Sequence, residues 1–527
     1  MVSPPSSFEI PLDAFLEDSG NLDLADTAAV RAHGLRTLPF HPELVFRLSR
    51  NAVEVSGTAE QVEKTKEIAR LAGECESLYR DGNAGEVVKL AARVLDANPA
   101  YRFARVQLIT SLGQLERYDD AMDALLEGLR LDPLYPLYHL HMAALLYYTN
   151  AADDLIEQYA QRAKELNAPT FWPDLLLCMV ALKQERYADL LALSSEALNA
   201  HPDSPELLYH HAVALDHIGR YQDAIGKFEK MMRHATPETL LPGDYYIVDE
   251  IYLSCVQEAA RENAPAVQTA VRRETARLES EFGWEVIFEH EAKGWNPDEE
   301  RDLELPRKIH WVAEKPPGIV EVRLGEEHDF SCYEELRALT EVRKEAAALQ
   351  ANPKNNRPVR LQQAVANMAN EWFVLPDDCE ANPENLPIMR NIFEWGLEMP
   401  LGWLACHRQM ERYSESRFGL LKDMIYEIKS YAEIVPNPEE ESAPPFVAIL
   451  CGAGALILSD LSTGILNFTD AYRNLPEWPR SQQIRDHFRL HMERGIKPGA
   501  EMQLVTEIAR IAGIIPSPPI HTKGMTP

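Results

Sequence analysis

LLYHHAVALDHIGRYQDAIGKFEKMMRHATP, Leu207 to Pro237, is the stretch that decides the fold. Leu208, Ala212 and Leu215 keep helical spacing, and Tyr221, Ala224 and Phe228 begin a second helical row. Between the two rows stands Gly219, a residue without a Cβ that can leave helical dihedrals and end the first helix. Working upstream, the same pattern returns from about Glu67 onward, giving five copies. Each copy closes on a proline: Pro99, Pro133, Pro169, Pro202 and Pro237, at steps of 34, 36, 33 and 35 residues. A period in that range means stacked helix-turn-helix units, none of which buries its apolar face alone. The front half therefore reads as a binding scaffold, and no residue in it names what is bound.

The Leu207–Pro237 copy resembles the tetratricopeptide repeat family: Leu208, Ala212, Leu215, Gly219, Tyr221, Ala224 and Phe228 fall on its large and small packing sites. Alanine stands at 212 and 224 where the two helices of a repeat approach, and Tyr221 and Phe228 fill the space between neighbouring repeats. The second copy keeps Leu108, Leu112, Tyr118, Ala121 and Pro133; the fourth keeps Leu177, Tyr187, Ala197 and Pro202. The first keeps Leu71, Leu78, Gly82 and Pro99. In the third only Ala143, Leu146 and Tyr159 fit, Asn150 replaces the turn glycine, and the register is open by a residue or two. The resemblance implies a mostly α protein with a right-handed helix-turn-helix solenoid. A small β-containing linker and a C-terminal helical domain would follow.

The boundaries expected from the sequence are an N-terminal arm (1–65), the repeats (66–238) and a capping helix pair (239–283). Beyond them lie a short β or extended linker (284–331), a helical domain (332–515) and a tail (516–527). The arm carries Phe8, Ile10, Leu12, Phe15 and Leu16 among acidic residues, then a strand-like alternation at Val45, Arg47, Ser49, Val53 and Val55. A helix begins near Thr58, where Thr58, Ala59, Glu60 and Gln61 suit a cap followed by an early acidic residue. The capping pair is read as Tyr245–Ala260 and Pro265–Phe282. Short β-like runs are Trp284–Phe288, Ile309–Val312 and Ile319–Leu324.

In this family the first helix of each repeat lines a concave groove, so the resemblance makes its inward side chains the ligand contacts. Spacing of i, i+3 and i+7 picks Phe103, Val106 and Thr110; Leu137, Leu140 and Ala144; Trp172, Leu175 and Met179; Glu206, Tyr209 and Val213. Tyr147 and Tyr148 lie one turn farther along the third copy. This face is apolar and aromatic with one carboxylate, and contiguous exposed apolar surface marks an interaction site. A subgroup of the family grips chaperone C-termini through Lys, Arg and Asn in the groove, and those groups are missing here. The expected occupant is an apolar helix or extended segment of a protein partner. The alternative is self-occupation, by the Phe8–Leu16 arm or the C-terminal half.

At 527 residues the chain exceeds one core, and 46% hydrophobic with 26% charged residues is ordinary for a folded protein. Its net charge of −31 is not ordinary. It argues against nucleic acid and anionic membranes as partners and leaves room for a basic surface. Seven cysteines without a Cys-x-x-Cys pair point to a reducing, cytoplasmic setting. The N-terminus lacks the basic and apolar regions of a secretory signal. The apolar run Phe446–Leu458, with Gly452 and Gly454 inside it, is too short to span a bilayer and suits a closely packed helix.

Chemistry is thinly marked. His487 and His491 are four apart on a helix, but Phe488 stands where the zinc-peptidase pattern needs glutamate, and no third ligand is evident. They read as packing or a surface pair. Cys406 and His407 are neighbours and diverge on a helix. No cofactor, metal or catalytic residue is assigned. The leading reading is a non-enzymatic adaptor. An enzyme or enzyme subunit with its site in the C-terminal half is the alternative, marked by a pocket around Trp372, Trp395, Trp403, Cys406 and His487. A structural subunit of a larger assembly is the third.

Overall fold

The computed structural model describes residues 6–16, 22–49, 51–234, 242–290, 309–312, 316–324, 331–351, 399–434, 445–461, 475–494 and 501–512. The chain divides into two compact units, 1–214 and 215–527. Trp372, Trp395, Cys379, positions 352–398 of the helical domain expected at 332–515 and the tail region beyond 512 lie outside the described residues.

The first unit opens not with an arm but with a folded head. Strands β1 (Ser6–Pro11), β2 (Val45–Leu48) and β3 (Ala52–Gly57) form an antiparallel sheet in the order β1-β3-β2. Helix α1 (Leu12–Leu16) follows β1, and α2 (Thr27–Thr37) is capped by the Asp26 carboxylate on the backbone N–H groups of Ala28 and Ala29. Phe8 pairs with Val55 in register, and Phe15, Val30, Leu44, Phe46, Val53 and Val55 make a core of their own, with Phe8, Ile10, Leu12 and Leu16 packed against it. Three strands with one apolar face suffice for this, whereas two do not. The sequence shows β2 and β3 by alternation; β1 is hidden in a short stretch between prolines. The Phe8–Leu16 segment is thereby committed to the head and is not free to fill a groove.

Helix α3 (Ala59–Arg80) begins with the reciprocal Thr58–Gln61 capping box. It pairs with α4 (Ala84–Ala97), and four more pairs follow: α5 (Arg102–Gln114) with α6 (Tyr118–Leu131), α7 (Pro136–Tyr148) with α8 (Asp153–Glu165), α9 (Trp172–Lys183) with α10 (Tyr187–Ala200), and α11 (Pro205–His217) with α12 (Tyr221–His234). The turn inside each pair places one residue in the left-handed region: Gly82, Glu116, Asn150, Glu185 and Gly219, at intervals of 34, 34, 35 and 34 residues. In every one the next N–H reaches back five residues, as from Asn83 to Leu78 O (3.0 Å) and Arg117 to Leu112 O (2.9 Å). That bond closes the helix end. The third copy is thus in register at Asn150. A further left-handed residue, Asn167 after α8, adds chain just before Pro169, where the 36- and 33-residue proline steps meet. Asn150 also accepts from Lys183 Nζ at 3.0 Å, tying its turn to the next repeat.

The head is fastened to the repeats. Asn98, fully buried, donates to Leu35 O (2.9 Å) and Leu38 O (3.3 Å), and Arg36 reaches Asp132 (3.5 Å).

In the second unit the expected capping pair is a single helix. The 36-residue α13 (Pro242–Arg277) runs through Pro265, passes into a wider turn at Leu278–Phe282 and stops at Gly283, φ 74°. Proline costs a helix interior one N–H bond and reads as a boundary. Burial on both sides of it holds the helix together: Ala260, Val267, Ala270, Val271 and Leu278 all enter one core. That core is completed by a sheet, β4 (Trp284–His290) parallel to β6 (Gly318–Leu324) and β5 (Ile309–Trp311) antiparallel to β6, and by α14 (Ser331–Ala351). Trp284 and Trp311 meet edge to face at 4.6 Å. Helices α15 (Met399–Arg412), α16 (Arg417–Ile434), α17 (Pro445–Leu461), α18 (Trp478–Arg494) and α19 (Glu501–Ala512) follow. Gly452 and Gly454 are buried in α17, which packs on α18. No described helix is long and apolar enough to cross a membrane.

Candidate functional site

The first helices α5, α7 and α9 lie in succession, α5 against α7 and α7 against α9. Of the side chains picked from spacing, Phe103, Tyr148 and Trp172 keep 51%, 65% and 45% of their surface exposed. Val106, Thr110, Leu137, Ala144, Tyr147, Met179, Glu206 and Tyr209 are half-buried. Leu140, Leu175 and Val213 are buried and belong to the repeat core, so they are withdrawn from the face. Helical geometry explains the miss. A step of three residues turns the side chain about 60° to one side and a step of four about 40° to the other, and the cores of α7 and α9 claim the three-step side. On α7 the outer row is Leu137, His141 and Ala144, all half-buried, and the exposed Tyr148, which brings in His141, a residue spacing alone passes over.

The face is electrically quiet. Burial pushes the His141 imidazole down to about 4, so it is neutral at neutral pH. The Glu206 carboxylate accepts from Ser204 Oγ at 2.8 Å, and Lys183 at the far end of α9 is engaged by Asp153 and Asn150. Aromatic neighbours fix the exposed rings: Trp172 stacks on Phe171 (5.8 Å between centroids), and Tyr148 meets Tyr147 edge to face (6.1 Å). Phe103 and Trp172 sit in the first turns of their helices and Tyr148 in a last turn, about 18 Å along a helix axis at 1.5 Å per residue. The surface is therefore a long apolar strip with aromatic ends, not one compact patch.

The chemical candidates come apart. Trp403 is buried edge to face with Phe488 (6.2 Å), and Cys406 is buried while His407 turns to Glu411 at 3.6 Å. The six described cysteines are all buried and none is in a disulfide. Desolvation raises the thiols of Cys75 and Cys332 to about 11 and those of Cys178 and Cys451 to about 12. Such thiols stay protonated and are poor nucleophiles.

No protein-family model matches the chain. Over 195 residues it is 28% identical to the TPR repeat-containing thioredoxin TTL4 of Arabidopsis thaliana. The match covers 34% of this chain and 28% of the relative, so less than a third of that protein's length is represented. A thermophilic TPR protein of Thermus thermophilus, TTC0263, aligns at 19% identity and a TM-score of 0.29, covering 36% of this chain and 98% of its own. The Naa15/Naa10 structure bound to HypK-THB aligns at 13% identity and a TM-score of 0.26, covering 83% and 68%. With five helix pairs and a left-handed turn every 34 or 35 residues, the front half of this chain has a TPR-like helix-turn-helix repeat fold.

Proposed function

We propose that the chain is a protein-interaction scaffold that holds an apolar segment of a protein partner along the first-helix strip of its repeats. The observation that carries this reading is the outward placement of Phe103, Tyr148 and Trp172 on three consecutive first helices, where the nearby Lys183 is already engaged by Asp153. Large rings held in water are costly, and covering them returns about 25 cal/mol per Å2. A partner segment that is apolar at its centre and basic at its flanks fits both the strip and the charge of −31. Likeness of the repeats to those of a TPR protein supports the scaffold role in general terms.

The test is comparative capture with wild type and the Trp172→Ala, Tyr209→Ala double variant from one native lysate, followed by direct titration of the captured partner. Loss of two rings lowers affinity by at least tenfold, about 1.4 kcal/mol or more. Unchanged affinity with intact helical circular dichroism sinks the strip as the binding face.

A further inference from the structure

The helix spacing of His487 and His491 gains a third member in the fold. Helix α19 packs on α18 and brings Glu507 to the two imidazoles, so that one ligand atom from each lies within 4.8 Å of the others. His487 Nε2 is in direct contact with Glu507 Oε2, and His491 Nε2 points to the same oxygen from 3.9 Å, too far for a hydrogen bond. The two rings lie 4.5 Å apart between centroids.

We propose that His487, His491 and Glu507 bind a divalent transition ion of the zinc class, which staples α19 to α18. Three features distinguish this arrangement from a simple ion pair. First, two imidazoles converge on one carboxylate oxygen, where an ion pair requires one. Second, His491 Nδ1–H donates to the His487 backbone oxygen at 3.0 Å. That bond places the ring proton on Nδ1 and leaves the Nε2 lone pair facing Glu507, the arrangement by which metal-ligating histidines are commonly held. Third, Gln503, one turn before Glu507, donates to the other carboxylate oxygen at 3.4 Å and steadies the acid.

Geometry and donor set agree on the class of ion. Tetrahedral zinc with bonds of about 2.0–2.2 Å needs its ligand atoms about 3.3 Å apart. The 3.9 Å separation closes by about half an ångström to meet this, and the His487–Glu507 contact opens as the ion replaces the proton between them. Two imidazoles with one carboxylate select zinc-like ions over magnesium or calcium, which prefer all-oxygen shells. Each side chain retains just over a quarter of its surface exposed, so the fourth position is left to water. The backing is apolar: Ile484 and Phe488 on α18 and Leu504 and Ile508 on α19 are buried.

The sequence hides this site because Glu507 stands sixteen residues beyond His491 on a separate helix whose facing side cannot be read from its periodicity.

The experiment uses the full chain after chelation, titrated with zinc chloride by calorimetry and with cobalt(II) followed by its visible absorption. His491→Gln is the deciding variant, because it removes a ligand and leaves the His487–Glu507 pair in place. Wild type binds with tetrahedral cobalt bands, and His491→Gln and Glu507→Gln each weaken binding by at least tenfold and lose those bands. Zinc also raises the melting temperature of wild type and not that of the variants. Zinc affinity in His491→Gln within threefold of wild type, or no cobalt spectrum in wild type, overturns the proposal and leaves the cluster an ion pair.

Discussion

In the repeats, the register of each helix pair is set by backbone. A left-handed residue and a five-residue return bond close every first helix, and the same device recurs five times with different side chains around it. In the second unit, register is set by single side chains used once. Glu274, buried in the last turn of α13, holds Arg343 at 2.7 Å, Arg277 at 3.3 Å and Arg412 at 3.6 Å, so one carboxylate fixes α13 against α14 and α15. Tyr333 donates its hydroxyl to Ala260 O at 2.7 Å while its ring lies on the bare backbone of Gly419. A device that repeats spreads its cost over many sites; a device used once concentrates it.

The largest test of that contrast is Glu274→Ala. It removes a buried carboxylate from the part-buried Arg343 guanidinium and costs about 3 kcal/mol, read as a lower urea midpoint for the second unit. The pH dependence follows the same residue. Burial alone raises its carboxyl, but Arg343 and Arg412 outweigh that and the net shift is downward. A carboxyl lowered in the folded state stabilises fully above its unfolded value of about 4.3. The contribution is lost as pH falls through the lower folded value, so wild type sheds stability in that acid window and Glu274→Ala does not.

Gly419→Ala comes next. A Cβ there lands inside the Tyr333 ring, which its hydroxyl bond holds in place. Overpacking of this kind costs about 2 kcal/mol, visible as a lower melting temperature of the second unit.

The smallest effects belong to the repeats and carry opposite signs. Gly219→Ala meets nothing within 4 Å, so only left-handed strain acts, and it costs about 1 kcal/mol. Glu116→Gly and Glu185→Gly relieve the same strain and lose part of that gain to chain entropy, for a net stabilisation of about 0.5 kcal/mol each. Equal costs at all of these positions in chemical denaturation would break the contrast between backbone and side-chain control.

The same contrast explains what the sequence discloses. Backbone devices that repeat leave a periodic trace, so the helix pairs and the strands at β4, β5 and β6 stand near their expected places. Side-chain devices used once leave none. Nothing in the letters around Glu274 or Glu507 shows which helix each meets, and Pro265 reads as a break because the burial of Ala260, Val267 and Ala270 on either side of it is invisible in one dimension. Within the strip, the exposed rings Phe103, Tyr148 and Trp172 are legible as aromatic outliers. Leu140 and Leu175 are not distinguishable from them until the neighbouring helix is seen to cover them.

The head described at residues 6–57 has a meaning for how such a chain can grow. Asn98 commits its side-chain amide to Leu35 O and Leu38 O, and Ala100 and Val62 pack into the head's core. The leading edge of the array is therefore stoppered, because an exposed terminal repeat needs a cover. New repeats added in front would meet a surface already taken. Lengthening by duplication is therefore barred at the head-facing end of the array and left to positions behind it.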